Sequence, residues 1–221
     1  MYISIIIPTK NEPAIQELIN EINTTIMQPH EIIVVDKSKA KPEVNGAEVM
    51  IQRSDGLGNA FVEGLSHTKG DVIVLMDGDG SHRPSDLLKM LGNIGEYHIV
   101  LGSKLIKGAE SCDTLGRRIV TRAFAWLTRL VLWININDPM TGFMAAKREI
   151  FNSISLNPRG FKIVIEVVYK SRGKVIEVPI SFRERKAGFS KAGFNMNGIR
   201  EMLRILRLLF ELKLGRILGH W

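Results

Sequence analysis

The sequence holds a single cysteine, Cys112, so it can form neither an internal disulfide bond nor a Cys-x-x-Cys metal clip. That excludes a disulfide-stapled secreted fold and a zinc domain, and it leads us to expect a reducing cytosol. Glycine and proline, at 20 and 8 residues, are too few for a collagen-like or low-complexity chain. Charges interrupt every apolar stretch before the roughly 20 residues that a membrane-spanning helix needs, so we expect no membrane span.

What the chain does contain is enough apolar material for one core. With 221 residues and 45% hydrophobic content it suits one domain, or one domain with an appendage, and not a disordered protein. The net charge of +7 suits nucleic acid, phosphorylated substrates or an anionic membrane surface. No RNA-binding aromatic motif or helix-turn-helix signature is present, so a basic nucleic-acid or membrane-binding module has only the charge in its favour.

Short apolar runs alternate with helical patterns in the first part of the chain. Runs over 3–7, 31–35 and 71–76 are apolar on both faces, as in central strands of a parallel sheet that is covered on both sides by helices. Helical patterns over 12–27 and 58–68 separate them, which predicts a β-α-β-α-β nucleotide-binding half. The pattern further predicts strands over 98–102 and 175–182 and helices over 86–94, 114–133 and 199–214.

Carboxylates follow the first three predicted strands, at the edge where open parallel sheets bind ligands. The most specific feature is the pair Asp77 and Asp79, separated by Gly78, which lets the backbone approach a ligand closely. Hard oxygen ligands suit Mg²⁺ or Mn²⁺, which takes its remaining ligands from water and a diphosphate. A solvated Asp-Gly turn is the alternative for so short a motif, and the position at a strand end favours the metal.

Other nucleotide sites are disfavoured by the same loops. No Gly-x-Gly-x-x-Gly follows the first strand, where the chain has TKNE at 9–12, and no P-loop motif is present. The GLG stretch at 56–58 opens a helix whose amides could face a phosphate, although a tight turn explains it equally well.

Taken together, the motifs resemble the family-2 glycosyltransferases, in particular the branch of dolichol-phosphate mannosyltransferase and its polyprenyl-phosphate relatives. The resemblance runs in order over roughly residues 1–195. The stretches that carry it are IIPTKNE at 6–12, VVD at 34–36, Arg53 with GLGNA at 56–60 and Gly64, MDGD at 76–79, GSK at 102–104, DPMTGF at 138–143 and residues 182–191.

The resemblance implies an α/β fold of the GT-A type, with a mostly parallel sheet flanked by helices and a C-terminal amphipathic helix. Residues 1–195 would form the catalytic domain, and residues 196–221 an amphipathic helix on the membrane surface. The implied activity is inverting transfer of a hexose, with mannose expected, from GDP-mannose or a UDP-hexose to dolichyl or polyprenyl phosphate. It would use Mg²⁺ or Mn²⁺ at the cytosolic face of the membrane, with the protein bound peripherally there.

The resemblance also assigns residues by their motif positions. Those implied to line the nucleoside pocket are Pro8, Lys10, Glu12, Val34 and Asp36. Asp77, Gly78 and Asp79 would hold the metal and diphosphate, and Ser81 stands where relatives often carry a glutamine ligand. Lys104, implied to bind the nucleotide sugar, replaces the arginine of a Ser-Arg pair, keeping its charge without the planar fork that grips phosphate at two points.

Basic residues in the later motifs complete the implied site. Arg117 and Thr121 match an arginine and a serine that face the acceptor phosphate, and Arg185 and Lys191 match a basic pair on a loop over the donor. Lys37 stands where a second aspartate is common, which leaves the base preference open.

Elementary chemistry is consistent with this assignment. Breaking a glycosyl phosphate bond leaves negative charge on the departing diphosphate, so the site needs cations there. An ionised acceptor phosphate needs no strong general base. A transferase of the same fold that acts on a saccharide or soluble acceptor is the alternative, and a carboxylate base near Asp138 would favour it. For His82 we expect a helix-capping role, and for Glu166 and Glu177 structural ion pairs.

Two amphipathic stretches allow two interpretations. In the terminal helix Arg200, Arg204 and Arg207 fall beside a wide apolar side, and residues 123–134 carry two tryptophans and an arginine. Either stretch suits a membrane surface or packing on the domain.

Overall fold

The computed structural model describes residues 1–158, 162–184 and 196–218, with the side chains of 196–202 excepted. The strands of the described residues are β1 (Ile3–Thr9), β2 (His30–Asp36), β3 (Glu48–Ile51), β4 (Val72–Leu75), β5 (Ile99–Ser103), β6 (Glu110–Ser111), β7 (Met144–Lys147), β8 (Val175–Pro179) and β9 (Ser181–Phe182). The helices are α1 (Ile15–Thr25), α2 (Leu57–Leu65), α3 (Pro84–Asn93), α4 (Leu115–Leu132), α5 (Arg148–Ser153), α6 (Ile163–Lys170) and α7 (Met196–Ile217).

Seven strands form one mixed sheet in the order β3-β2-β1-β4-β7-β5-β8. Only β7 runs antiparallel to its neighbours β4 and β5, and every other pairing in this sheet is parallel. A second, two-stranded sheet pairs β6 with β9. The predicted mostly parallel α/β sheet is therefore confirmed, and the carboxyl ends of β1, β2, β4 and β5 meet at one edge.

The central strands are buried on both faces because their side chains alternate between two cores. In β1, Ile5 and Ile7 join the core that contains α1 and α3, whereas Ile6 joins the core that contains α2 and α6. The continuous apolar runs in the sequence reflect this double burial.

Several elements differ from the prediction. The predicted strand 175–182 is two strands, β8 and β9, in different sheets: β8 ends at Pro179, which has no N–H for a ladder, and Ile180 bonds to Ser103 and Glu110 in between. Three strands and two helices were not predicted, namely β3, β6, β7, α5 and α6. The sequence of α6, IVIEVVYK, is rich in β-branched residues and buried at seven of its eight positions, so local preference indicates a strand and tertiary packing overrides it.

The long helices α4 and α7 pack against each other and against α6. Ile205, Leu208, Leu209 and Leu212 of α7 join a third core cluster with Leu132 of α4 and with Ile165 and Tyr169 of α6. In the part of the chain that the structure describes, no helix combines the length and apolarity needed to cross a bilayer.

Candidate active site

At the carboxyl edge, a buried carboxylate joins the ends of β1 and β2. Asp36 accepts hydrogen bonds from Thr9 Oγ1 at 2.8 Å and from the Ser38 backbone N–H at 2.7 Å. The Ser38 hydroxyl accepts in turn from the N–H of Asn11, which has a left-handed φ of 52°. Because both oxygens of Asp36 already accept hydrogen bonds, Asp36 sets the shape of this edge, and any contact with a nucleoside would add to those bonds.

The next loop along the edge carries the Asp-x-Asp motif. The backbone N–H of Asp77 donates to His82 Nδ1 at 3.3 Å, and the His82 ring is buried and stacked on Phe143 at 4.7 Å between centroids. Asp79 Oδ1 accepts from the backbone N–H and the hydroxyl of Ser81, at 3.0 and 2.6 Å. The loop is therefore held by its own hydrogen bonds, and both carboxylates remain half-buried rather than sealed in the core.

The prediction that His82 caps the following helix is wrong. The N-cap of α3 is Arg83, and no side chain there bonds to the first turn. His82 instead accepts a hydrogen bond from the backbone N–H of Asp77. Its ring contacts two aromatic rings, with centroid distances of 4.7 Å to Phe143 and 5.6 Å to Phe182.

Two glycines leave the space that the carboxylates occupy. A Cβ on Gly78 would lie 2.7 Å from Thr9 Cγ2, so only glycine lets this loop pack on the end of β1. A Cβ on Gly142 would lie 3.1 Å from both carboxylate oxygens of Asp77. The loop that follows Asp138 therefore approaches the Asp77 carboxylate through backbone alone.

A cluster of opposite charges lies beside this loop, around the buried carboxylate of Asp113. Lys104 Nζ bonds to Asp113 Oδ2, and Arg117 Nε lies 3.2 Å from Asp113 Oδ1. Burial acts to raise the pKa of Asp113, but the hydrogen bond and charge of Lys104 and the charge of Arg117 outweigh it and hold the pKa below its usual range. Thr121 Oγ1 donates to the carbonyl of Arg117. Asp113 is thus an ionised anion between two cations.

Phe182 links the cluster to the Asp-x-Asp loop. Lys104 Nζ lies 4.2 Å from the centroid of the Phe182 ring, and the centroid of the His82 ring lies 5.6 Å from the same point. The contacts therefore run from the Asp77 backbone through His82 and Phe182 to Lys104, and Lys104 is linked to Arg117 through Asp113.

Asp138 is a second buried carboxylate at this edge. Its Oδ2 accepts from the Lys104 backbone N–H at 3.1 Å, and its Oδ1 has no hydrogen-bond partner among the described residues. Burial raises the pKa of Asp138 above its ordinary value. Glu177 accepts from the Asp138 and Asn137 backbone N–H groups, so its role is structural hydrogen bonding. The ion pair predicted for Glu166 is present with Lys170.

The remaining predicted residues divide into three groups. Pro8 is half-buried at the end of β1, and Lys10 and Glu12 follow it, exposed and half-buried respectively. Val34 lies inside β2, fully buried in the core. Arg185 and Lys191 lie outside the described residues.

Lys37, which stands where the motif comparison leads one to expect a second aspartate, has a structural role. Its Nζ donates to the carbonyls of Arg53 and Ser54, at 3.0 and 3.2 Å, and pairs with Asp55 at 3.3 Å. It therefore fastens the loop that precedes α2.

Sequence reasoning missed Asp113. It lies in a short loop outside every recognised motif, and its importance comes from Lys104, which is nine positions away and on another element. No sequence signal identifies it, because an aspartate before a helix is usually interpreted as a cap or a solvated residue.

The carboxylates of Asp77 and Asp79 fit a divalent cation that keeps open coordination positions. They supply hard oxygen ligands from a loop whose glycine leaves room for a ligand. Among the described residues no group of three or more His, Cys, Asp or Glu side chains could hold a metal by itself. A cation here would thus need further ligands from water or a diphosphate.

A mostly parallel sheet with an Asp-x-Asp loop at its carboxyl edge is typical of GT-A glycosyltransferases. Known sequences and structures agree with this class. The chain belongs to the family described as Glycosyl transferase family 2, because the sequence model of that family matches residues 4–155.

Curated relatives point to one branch of the family. The chain is 33% identical over 208 residues to the dolichol-phosphate mannosyltransferase of Pyrococcus furiosus, covering 86% of this chain and 59% of that protein. It is 30% identical over 225 residues to the polyprenol monophosphomannose synthase of Mycolicibacterium smegmatis, covering 90% of this chain and 83% of that one. The chain thus spans about three fifths of the length of the Pyrococcus protein.

A solved structure shares the fold. Glucosyl-3-phosphoglycerate synthase from Mycobacterium tuberculosis, in complex with Mn²⁺, UDP and glucosyl-3-phosphoglycerate, superposes with a TM-score of 0.65 at 21% identity. The similarity covers 97% of this chain and 79% of that one, and it shows the GT-A fold.

Proposed function

We propose that the protein transfers a hexose, with mannose expected, from a nucleotide diphosphate sugar to a polyprenyl or dolichyl phosphate. The observation that carries the proposal is the arrangement around Phe182. A chain of contacts leads from the Asp77 backbone through His82 and the Phe182 ring to Lys104, and from Lys104 through Asp113 to Arg117. The Asp-x-Asp loop is on one side of this chain of contacts, and the two cations are on the other. One side suits the metal and diphosphate of a donor, and the other suits an acceptor phosphate.

The transfer needs no external base. An oxygen of the acceptor phosphate, already ionised at neutral pH, attacks the anomeric carbon of the sugar. The bond between that carbon and the diphosphate oxygen breaks, and its electron pair leaves with the nucleoside diphosphate. Attack from the opposite side inverts the anomeric configuration. We assign Lys104 to the acceptor phosphate, and not to the nucleotide sugar as the resemblance implies, because it shares Asp113 with Arg117. Together the two cations would hold the attacking phosphate, and this proximity makes the step effectively unimolecular.

Asp77 and Asp79 would hold Mg²⁺ or Mn²⁺, with Ser81 beside them. The ion would supply positive charge to the departing diphosphate. The chain's own contribution is to hold the two carboxylates in place through His82, Ser81 and Gly142. The Mn²⁺ and UDP in the complex of the mycobacterial synthase support this proposal for the donor side.

The other predicted residues belong to the donor side of the same proposal. Pro8, Lys10, Glu12 and Asp36 would form the nucleoside pocket at the ends of β1 and β2, and Val34, two positions before the end of β2, would support it from the core. Arg185 and Lys191 would face the diphosphate. GDP-mannose and UDP-hexoses are the candidate donors, and residues 1–195 are proposed as the catalytic domain.

We further propose that the outer face of α4 and α7 lies on an anionic membrane surface, at the cytosolic face. Large apolar side chains of both helices are exposed at spacings of three, four and seven, which places them in stripes. Those of α4 are Leu115, Ile119, Trp126 and Leu130, and those of α7 are Leu203, Leu206, Phe210, Leu214 and Ile217. Exposed arginines such as Arg118, Arg122 and Arg129 flank the stripe and suit anionic headgroups. The terminal helix thus offers one face to the core and another to a membrane.

The membrane proposal predicts the behaviour of a double variant. Trp126→Ser with Phe210→Ser removes two aromatic side chains that are 65% and 67% exposed, so folding should be little affected. We expect binding to anionic phospholipid vesicles to fall about tenfold in a flotation assay. Met27→Ser is the matched control, since Met27 is 85% exposed on another part of the surface. Equal vesicle binding by the double variant and the control would contradict the proposal.

The proposed activity has a direct test. The protein is incubated with labelled GDP-mannose, UDP-glucose or UDP-N-acetylglucosamine, a short-chain polyprenyl phosphate and Mn²⁺ or Mg²⁺. We expect labelled sugar in the organic phase with one of these donors, and its loss when the metal is chelated. No lipid-soluble product with any donor would overturn the proposal.

One observation favours a second candidate, transfer to a soluble acceptor hydroxyl. Such an acceptor must lose a proton, and the unpartnered Oδ1 of Asp138, with its raised pKa, is suited to take one. Replacing the lipid phosphate by phosphoglycerate or a saccharide in the same assay separates the two candidates.

A further inference from the structure

Asp113 is the group through which the two proposed acceptor cations are connected. Its side chain is only 3% exposed, and its two oxygens are divided between partners: Oδ2 accepts from Lys104 Nζ, and Oδ1 lies 3.2 Å from Arg117 Nε. The Ser111 hydroxyl accepts from its backbone N–H at 3.2 Å. The carboxylate therefore cannot turn away without breaking both ion pairs.

Lys104 is held at three points, and the residue before it is fixed as well. Its backbone N–H donates to Asp138, its ammonium bonds to Asp113, and the same ammonium lies over the ring of Phe182. Ser103, just before it, is tied to Ile180. A solvated lysine normally samples many rotamers, so holding Lys104 in one rotamer costs side-chain conformational entropy.

Counting charges shows what the carboxylate adds. Lys104 and Arg117 together carry +2, and the ionised Asp113 reduces the cluster to +1. Two full cations on an acceptor phosphate would bind it strongly and would also draw electron density from the attacking oxygen. A single net positive charge still attracts the phosphate, while its oxygens keep more of their nucleophilicity.

We propose that Asp113 is a positioning residue that aims Lys104 and Arg117 at the acceptor phosphate and limits their combined charge to +1. The inference rests on the proposed role of this pair in acceptor binding. Asp113 would thus weaken binding of the acceptor phosphate and speed the attack of its oxygen on the sugar.

The signature of this role is a split between binding and turnover. In Asp113→Asn the cluster carries +2, so citronellyl phosphate, a short soluble polyprenyl phosphate, should bind about fivefold more tightly by calorimetry without donor. The kcat for sugar transfer should fall about tenfold, because the acceptor oxygen is quenched and the cations are less firmly aimed. The KM of the donor should stay unchanged.

Variants at Lys104 complete the series. Lys104→Gln leaves a net charge of zero and should bind citronellyl phosphate more weakly than the unmodified protein. Adding Asp113→Asn to it restores +1 and should restore the affinity. The expected order of affinity is Asp113→Asn, then the unmodified protein together with the double variant, then Lys104→Gln. If Asp113→Asn alone does not fold, comparing Lys104→Gln with the double variant measures the same effect without a buried unpaired lysine.

A purely structural carboxylate predicts another result. Glu166→Gln is the matched control, since Glu166 is buried and pairs with Lys170 in α6. It should lower the unfolding temperature and leave affinity for citronellyl phosphate unchanged. If the unmodified protein binds citronellyl phosphate and Asp113→Asn binds it equally or more weakly, the role of Asp113 is overturned while the acceptor proposal stands. If the unmodified protein does not bind it, the acceptor proposal fails first.

Discussion

Asp79→Asn is expected to lower sugar transfer by about a thousandfold while the protein remains folded. The loss follows from the charge, because the proposed metal needs an anionic oxygen and an amide oxygen is a poor substitute. The fold should survive, since Asp79 acts within the loop as an acceptor for the Ser81 amide and hydroxyl. The Oδ1 of asparagine can accept both bonds.

The measurement is turnover with saturating donor and acceptor, alongside binding of the nucleoside diphosphate with and without Mn²⁺. We expect the Mn²⁺-dependent part of the binding to disappear. Asp71→Asn is the matched control, because Asp71 precedes β4 at the opposite edge of the sheet and accepts from the Tyr2 backbone N–H. Asp71→Asn should retain both turnover and Mn²⁺-dependent binding. Activity of Asp79→Asn within a few fold of the unmodified protein would show that this carboxylate holds no metal.

Arg117→Ala should raise the KM for the polyprenyl phosphate acceptor by about 30-fold to 100-fold and leave the KM for the donor unchanged. The guanidinium is a charged donor group for the acceptor phosphate, and contacts of that kind contribute about 2 kcal/mol or more. In addition, its removal leaves Asp113 paired with Lys104 alone, so the cluster becomes neutral.

Kinetics with a short soluble acceptor avoid any contribution from membrane binding. Arg117→Lys should fall between the unmodified protein and the alanine variant, because it keeps the charge and loses the planar fork. Arg122→Ala, a second arginine on the same helix with an exposed side chain, serves as the control and should behave as the unmodified protein. A rise in the donor KM without a change for the acceptor would move Arg117 to the donor side.

Much of the fold follows from local pattern. The runs that became β1, β2 and β4 were predicted because strands covered on both faces consist of continuous apolar residues. The amphipathic patterns of α1, α3 and α4 were predicted for a related reason, since one side of each helix meets the sheet or another helix. By contrast, α6 has β-branched residues that favour a strand, and only its burial between α4, α7 and the sheet makes it a helix. The strand β7 is short and alanine-rich, so its place between β4 and β5 has no local signal.

The site divides in the same way. Asp77, Gly78 and Asp79 could be found from sequence, because a carboxylate pair directly after a buried strand lies at the ligand-binding edge of a parallel sheet. The role of Lys37 could not, since its ammonium is turned to carbonyls of a loop that lies fifteen or more positions away. The functional roles predicted for all the site residues remain predictions, namely those of Pro8, Lys10, Glu12, Val34, Asp36, Asp77, Gly78, Asp79, Ser81, Lys104, Arg117, Thr121, Arg185 and Lys191.

The sequence by itself determined the alternation of strands and helices, the sheet edge at which we propose the chemistry and the sign of the charges there, because each of these depends on residues that are neighbours along the chain. Only the tertiary structure decided that Asp113 joins Lys104 to Arg117, that Phe182 contacts both Lys104 and His82, and that α7 keeps a second apolar face exposed. Those features arise where separate elements meet, and a side chain there acquires its partner and its charge balance only when the chain is folded.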